Sequence, residues 1–241
     1  MDMKISGTGV ITPGEYDNVK ISGSANVTGY IRCLSYHCAG SSHANDNIEC
    51  ENEMEIAGSC KFDKNITAGN LSIAGSTSCS GDITVKEKMS TAGAFKCGGS
   101  IKAGTLSIAG AGNLSGDAEA ELIKIGGKLD CDGLLNAEEI EIKFESGMQI
   151  GSIGGSRISI YPKKSKRKAK LPLFSSLIRS SSTVRVSNSI EGDVIALEGV
   201  VTPRVSGRIV AISDGCEIDL VQYSEQIEIS PNAKVGKTEK I

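Results

Sequence analysis

Three cysteines and two histidines stand within one 18-residue stretch: Cys33, His37, Cys38, His43 and Cys50. Thiolate and imidazole are zinc's preferred ligands, and a zinc site needs four of them converging at about 2.0–2.3 Å on one point. Whether these five converge depends on the direction in which each side chain is carried. Further along, Asp130 and Asp132 flank Cys131, carboxylates of the kind that in acidic clusters bind calcium. No accompanying acidic cluster stands near them, so a solvated turn is the expected reading. Six of the eight residues from Lys163 to Lys170 are basic, between two prolines. The chain carries no phosphate-cradling glycine loop and no nucleophile elbow.

The elements that position these groups follow from an internal repeat, which is the first thing to seek in a chain. Gly23, Gly40, Gly58, Gly75, Gly93, Gly110 and Gly127 are spaced by 17, 18, 17, 18, 17 and 17 residues. With these glycines as register, each offset becomes a column. Four residues before the glycine stand Val19, Tyr36, Met54, Leu71, Met89, Leu106 and Ile123. Two before come Ile21, Cys38, Ile56, Ile73, Thr91, Ile108 and Ile125; four after, Val27, Ala44, Phe62, Cys79, Cys97, Leu114 and Cys131. Eight after come Ile31, Ile48, Ile66, Ile83, Ile101, Ala118 and Leu135, and ten after a column of small residues from Cys33 and Cys50 to Ala137. The pentapeptide "LSIAG" at 71–75 returns at 106–110 because 17 and 18 make two turns.

Every apolar column sits at an even offset, the period of a strand with one face in and one face out. Like residues recurring in register stack upon like, about 4.8 Å apart, as in a parallel sheet. The expected fold is all-β: a parallel β-helix of 17–18 residues per turn. The pattern predicts an N-terminal β-helical region over 1–160, a basic and apolar insertion over 161–182, and a C-terminal β-helical region over 183–241. In the last of these "IEGDVIA" is echoed by "VSGRIVA" 15 residues later, a shorter turn. Continuous stacking and two separate blocks both remain open at this level.

On this register the three cysteines point inward and the two histidines outward, which argues against zinc and for small core thiols. Cys33 with Cys50, and Cys79 with Cys97, stack near disulfide distance. With no apolar leader and no run of about 18 apolar residues, the chain reads as cytoplasmic, where thiols stay reduced. The composition is otherwise spare: no Trp, 4 Phe, 5 Tyr and a formal net charge of −3. Such a charge implies no general affinity for nucleic acid, and the aromatic platforms that stack single-stranded bases are missing. Left-handed β-helical acyltransferases need a catalytic His and a cleft, and the chain's two His both lie in early turns. No enzyme activity, metal or cofactor is expected.

The glycine-spaced rungs, the "IEGDVIA" and "VSGRIVA" steps and the ending "EISPNAKVGKTEKI" resemble the bactofilins, bacterial polymer-forming cytoskeletal proteins. The resemblance is strongest over about 184–236 and looser over 5–160. It implies a right-handed, triangular β-helix that polymerises end to end, without nucleotide, into filaments that scaffold cell shape, wall synthesis or motility. Two departures mark a longer variant: the chain is repetitive almost throughout, and it lacks the N-terminal tail that often carries membrane attachment.

A solenoid's ends expose unpaired strand edges and core, which must be capped or paired. Ile5, Val10 and Ile11 are expected at one end surface, and Ile227, Ile229 and Val235 at the other. Lys163, Lys164, Lys166, Arg167, Lys168 and Lys170, with Leu173 and Phe174 beside them, read either as a solvated loop or as an anchor to an anionic membrane surface, at about 1 kcal/mol per charge. The expected partners are further copies of the chain, a related paralogue, and the inner membrane surface or cell-envelope proteins, with no nucleic acid. The rival reading is a monomeric or oligomeric β-helical adaptor that holds a protein partner at the membrane surface.

Overall fold

The computed structural model describes residues 1–163 and 183–241. They form 22 strands and no helix, joined in one sheet of parallel pairings that winds as a β-solenoid of about 13 turns. The columns are the ladder itself. Ile31 pairs with Ile48, Ile48 with Ile66, Ile66 with Ile83 and Ile83 with Ile101. All five are at most 1% exposed. Burial of each contributes about 1.5–3 kcal/mol before the entropy of ordering the chain.

One turn consists of three paired segments separated by corners, as at 31–33, 35–38 and Ser41–Ala44. The alternation of 17 and 18 residues is absorbed at one corner. The register shifts between Cys50 and Glu53, and again between Val85 and Lys88. The turn above each longer corner carries a glycine at that place. A Cβ on Gly69 would lie 2.4 Å from the Asn52 carbonyl oxygen, and one on Gly104 would lie 2.6 Å from that of Glu87.

The core holds one column that apolar periodicity did not reveal, two residues after the glycine: Ala25, Ser42, Cys60, Thr77, Phe95 and Leu129. It mixes hydroxyl, thiol and ring, so no single residue type marks it. Ser42 meets the Tyr36 hydroxyl at 2.7 Å in the interior. Thr77 and Thr91 each bury an Oγ1 with no hydrogen-bond partner among the described residues. Thr91 occupies a column otherwise filled by isoleucine, one cysteine and one leucine. Thr91→Val keeps the shape and removes the unsatisfied hydroxyl, so it is expected to stabilise the fold by about 1 kcal/mol. A lowered denaturation midpoint would contradict this.

The sheet also runs across the interruption, which starts later than the expected 161, since Tyr161 pairs with Lys143 and Pro162 with Phe144. Ile153 pairs with Ile190, Ile158 with Ile195 and Ile160 with Leu197, while Met148 pairs with Val184. The two repetitive regions are therefore one stack. Beyond that point the corners tighten. Gly199 and Gly215 adopt φ of 67° and 73°, the left-handed conformation that glycine enters at no steric cost. Corners of this kind accompany the shorter spacing that pairs Ile190 with Val205.

Candidate assembly surfaces

The residues best suited to chemistry are held apart by the ladder. Cys33, Cys38 and Cys50 are buried core residues, and all eight cysteines are free thiols. His37 and His43 lie on the outside, where Nδ1 of the first meets Glu55 at 2.9 Å and Nε2 of the second meets Asp63 at 2.7 Å. Among the described residues no three His, Cys, Asp or Glu side chains are grouped to hold a metal ion. Asp130 is engaged by the Lys128 ammonium at 2.7 Å and accepts a hydrogen bond from the Gln149 amide.

Burial pushes the Cys79 thiol up to about 11, Cys97 to about 12 and Cys131 to about 11. A thiol with a raised folded pKa stabilises the fold fully below its unfolded pKa, near 8.5–9, and loses that contribution as pH climbs through the folded value. The melting temperature is therefore expected to fall between about pH 9 and pH 12. It should fall more steeply for the native chain than for a Cys79→Ala/Cys97→Ala double variant, whose packing defect does not depend on pH. Parallel curves for the two proteins would show that these thiols do not couple ionisation to folding.

A second polar ladder occupies one corner, at a column the apolar reading passed over. Asn47 Oδ1 accepts from the Asn65 amide at 3.0 Å, Asn65 Oδ1 from the Asp82 amide at 2.9 Å, and Asp82 Oδ1 from the Ser100 amide at 2.8 Å. Ser100 Oγ and Asp117 Oδ1 continue the series to the amides of Asp117 and Leu134. The signal for it was the recurrence of Asn, Asp and Ser immediately before the isoleucine column. These side chains replace strand pairing where the backbone bends, so they hold the corner together and are not free for a ligand.

The ends differ from the body. At one end Met3–Ile5 pairs only with the strand above it, and Thr8–Ile11 likewise. At the other, Lys234–Lys240 pairs only with the strand below, and the 226–229 edge is open on one side. Ile227 and Val235 are partly buried and Ile229 is 40% exposed, so this end shows unfilled core. At the first end the expected trio separates. Ile5 is partly buried, its side chain lying across Gly9, where a Cβ would come within 2.7 Å. Ile11 is wholly buried, so only its backbone edge remains available, and Val10 is exposed on the outer side at 58%. Of the basic cluster, Lys163 lies among the described residues and its ammonium meets Glu145 at 2.9 Å. Lys164, Lys166, Arg167, Lys168, Lys170, Leu173 and Phe174 lie outside the described residues.

Comparison with known proteins gives relatives but no family. No family model matches the chain, and no solved structure does. The uncharacterized protein YhbE of Bacillus subtilis (strain 168) is 32% identical over 109 residues, covering 45% of this chain and 44% of YhbE. The uncharacterized protein YhbF of the same organism is 27% identical over 113 residues, covering 45% of this chain and 42% of YhbF. The matched stretch thus spans less than half the length of either relative.

Proposed function

We propose that this chain is a structural protein that assembles end to end, without nucleotide, into filaments that scaffold cell shape, wall synthesis or motility. One observation carries the reading: both ends of a 13-turn parallel stack present open strand edges and incompletely covered core among the described residues. Open edges are templates for another chain, and a contact whose operation does not close on itself yields a filament. Among the described residues the outer sides offer no comparable feature. They are lined by cross-turn ion pairs such as Arg32 with Glu51 at 2.7 Å and Lys102 with Glu119 at 3.0 Å. Exposed pairs of this kind contribute little energy but keep the sides solvated. No described helix is long and apolar enough to cross a membrane. The place of action in this reading is the cytoplasm, with the basic 163–170 cluster meeting the anionic inner leaflet. Cosedimentation with anionic liposomes tests that contact, and its absence would remove the membrane part of the reading.

Electron microscopy of the purified protein tests the assembly, with filaments as the expected result. Uniform short rods at all concentrations would overturn it in favour of a monomeric adaptor. Ile229→Arg places a charge on the open core at one end and is expected to leave only short soluble species. Unchanged filaments from that variant would refute the assignment of this end.

A further inference from the structure

A joint between two copies of this chain presupposes the proposed end-to-end assembly. The two ends differ in chemistry, and the difference selects how they meet. In register, the first turn carries Met3 and Ile5, then Gly9 and Ile11, on inward positions. The last turn carries Ile227 and Ile229, then Val235, on the same columns. Following the ladder one turn past the last strand would therefore set Ile227 against Met3, Ile229 against Ile5 and Val235 against Ile11. The outward positions follow the same register: Lys4 occupies the column of Lys20, and Glu228 occupies that of Ala211 and Ala196. That column runs from Lys4 through Ser159, which pairs with Ala196, to Glu228. Lys4 has no ion-pair partner among the described residues, and Glu228 accepts only from the Gln226 amide at 2.9 Å.

Net charge points the same way. The first turn, residues 2–17, holds Asp2, Glu15 and Asp17 against Lys4. The last, residues 226–241, holds Lys234, Lys237 and Lys240 against Glu228 and Glu239. Counting side chains alone, three acids against one lysine give −2, and three lysines against two acids give +1; of the acids, Asp17 is already held by the Met1 ammonium at 2.7 Å. Like-with-like joints would bring the acids of two first turns together, or the lysines of two last turns. Two contacts oppose the head-to-tail arrangement: Glu239 would stand over Glu15, and Lys240 over Tyr16 on an inward column. Glu239 is however already held by Lys237 and by Gln222 at 3.1 Å. We propose that a second copy of this chain seats its first turn on the last turn of the one before, head to tail and in ladder register, with Lys4 beside Glu228, giving a polar filament.

Neighbouring positions on adjacent parallel strands lie about 4.8 Å apart, within reach of a short bifunctional thiol reagent. Lys4→Cys and Glu228→Cys are made as separate proteins and treated with such a reagent alone and mixed, with the native chain and its buried thiols as blank. The expected result is a cross-linked dimer in the co-assembled mixture and none in either variant alone. Filaments that cross-link within a single variant would overturn the proposal in favour of like-with-like joints, and filaments with no cross-link would overturn the register. Val10→Cys with Lys234→Cys, the same register on another side, repeats the measurement if the first exchange itself blocks assembly. No filaments from the native chain would instead defeat the assembly reading, and this joint with it.

Discussion

Gly75→Ala is expected to destabilise the stack by about 3 kcal/mol, among the largest effects of any single methyl group in the molecule. The usual reason for an irreplaceable glycine does not apply, because Gly75 is not in the left-handed region. The reason is proximity. A Cβ on Gly75 would lie 1.9 Å from the carbonyl oxygen of Gly58 and 2.6 Å from that of Ala57. Both obstacles are backbone, and both are fixed by the ladder: the Gly75 and Ala74 amides share the Ile56 carbonyl, and the Ser76 amide donates to Gly58 at 2.9 Å. The same relation links Gly23, Gly40, Gly58, Gly93, Gly110 and Gly127: a Cβ on each would lie 1.8–2.0 Å from the carbonyl oxygen of the glycine one turn earlier. Gly7 is the control. Nothing lies within 4 Å of its added Cβ, so Gly7→Ala should change fold stability by no more than about 0.5 kcal/mol. Because each turn of a solenoid contacts only its neighbours, the damage from Gly75→Ala should be local. Amides of the turns flanking Gly75 should lose hydrogen-exchange protection while those around Ile195 and Val210 keep theirs. Equal stability of the two variants would show that the corners relax, and that close approach is not what the glycines serve.

The contrast between Gly75 and Gly112 shows what the repeat pattern disclosed and what it withheld. The period, the inward columns and the opposed directions of Cys38 and His37 follow from spacing alone, because a strand fixes side-chain direction every second residue. Spacing also marks the register glycines, yet it does not say why each is there. Gly112 stands in the mixed column, and its missing side chain is replaced by the Phe95 ring, whose Cε1 would lie 2.2 Å from an added Cβ. One glycine yields to a backbone and the other to a neighbour's ring, a difference set by the turn below and invisible along the chain. The corner series from Asn47 to Asp117 was in the sequence as a recurrence of small polar residues. Apolar periodicity passes over it because its side chains bond to backbone rather than to one another. At the first end, Ile11 looks like any end residue by position, yet its side chain is wholly buried. Continuity of the stack across 161–182 required the pairing of Met148 with Val184, since a change of turn length is compatible with one stack or two.

Phe62→Ala is expected to cost about 3–5 kcal/mol, and the form of the loss tests how unlike residues share one column. Phe62 is wholly buried between Ala44 below and Cys79 above. Two small neighbours leave space that one ring fills, and the ring reaches the Tyr36 ring one turn below, edge to face at a centroid distance of 6.4 Å. The Tyr36 hydroxyl in turn lies 2.7 Å from Ser42 Oγ. Truncation leaves a void that cannot close, because the strands around it are fixed one ladder step apart and cannot move inward singly. Large beside small is thus a property of the pair and not of either residue. Ala44→Leu alone should destabilise by about 1–3 kcal/mol, by crowding the Phe62 ring. Added to Phe62→Ala it should instead recover part of the loss, so the double variant is more stable than the sum of the singles by more than about 1 kcal/mol. Denaturant titration of the four proteins measures this coupling. Additivity within about 0.5 kcal/mol would mean that Phe62 does not occupy the space Ala44 leaves, and that the columns pack independently of their neighbours.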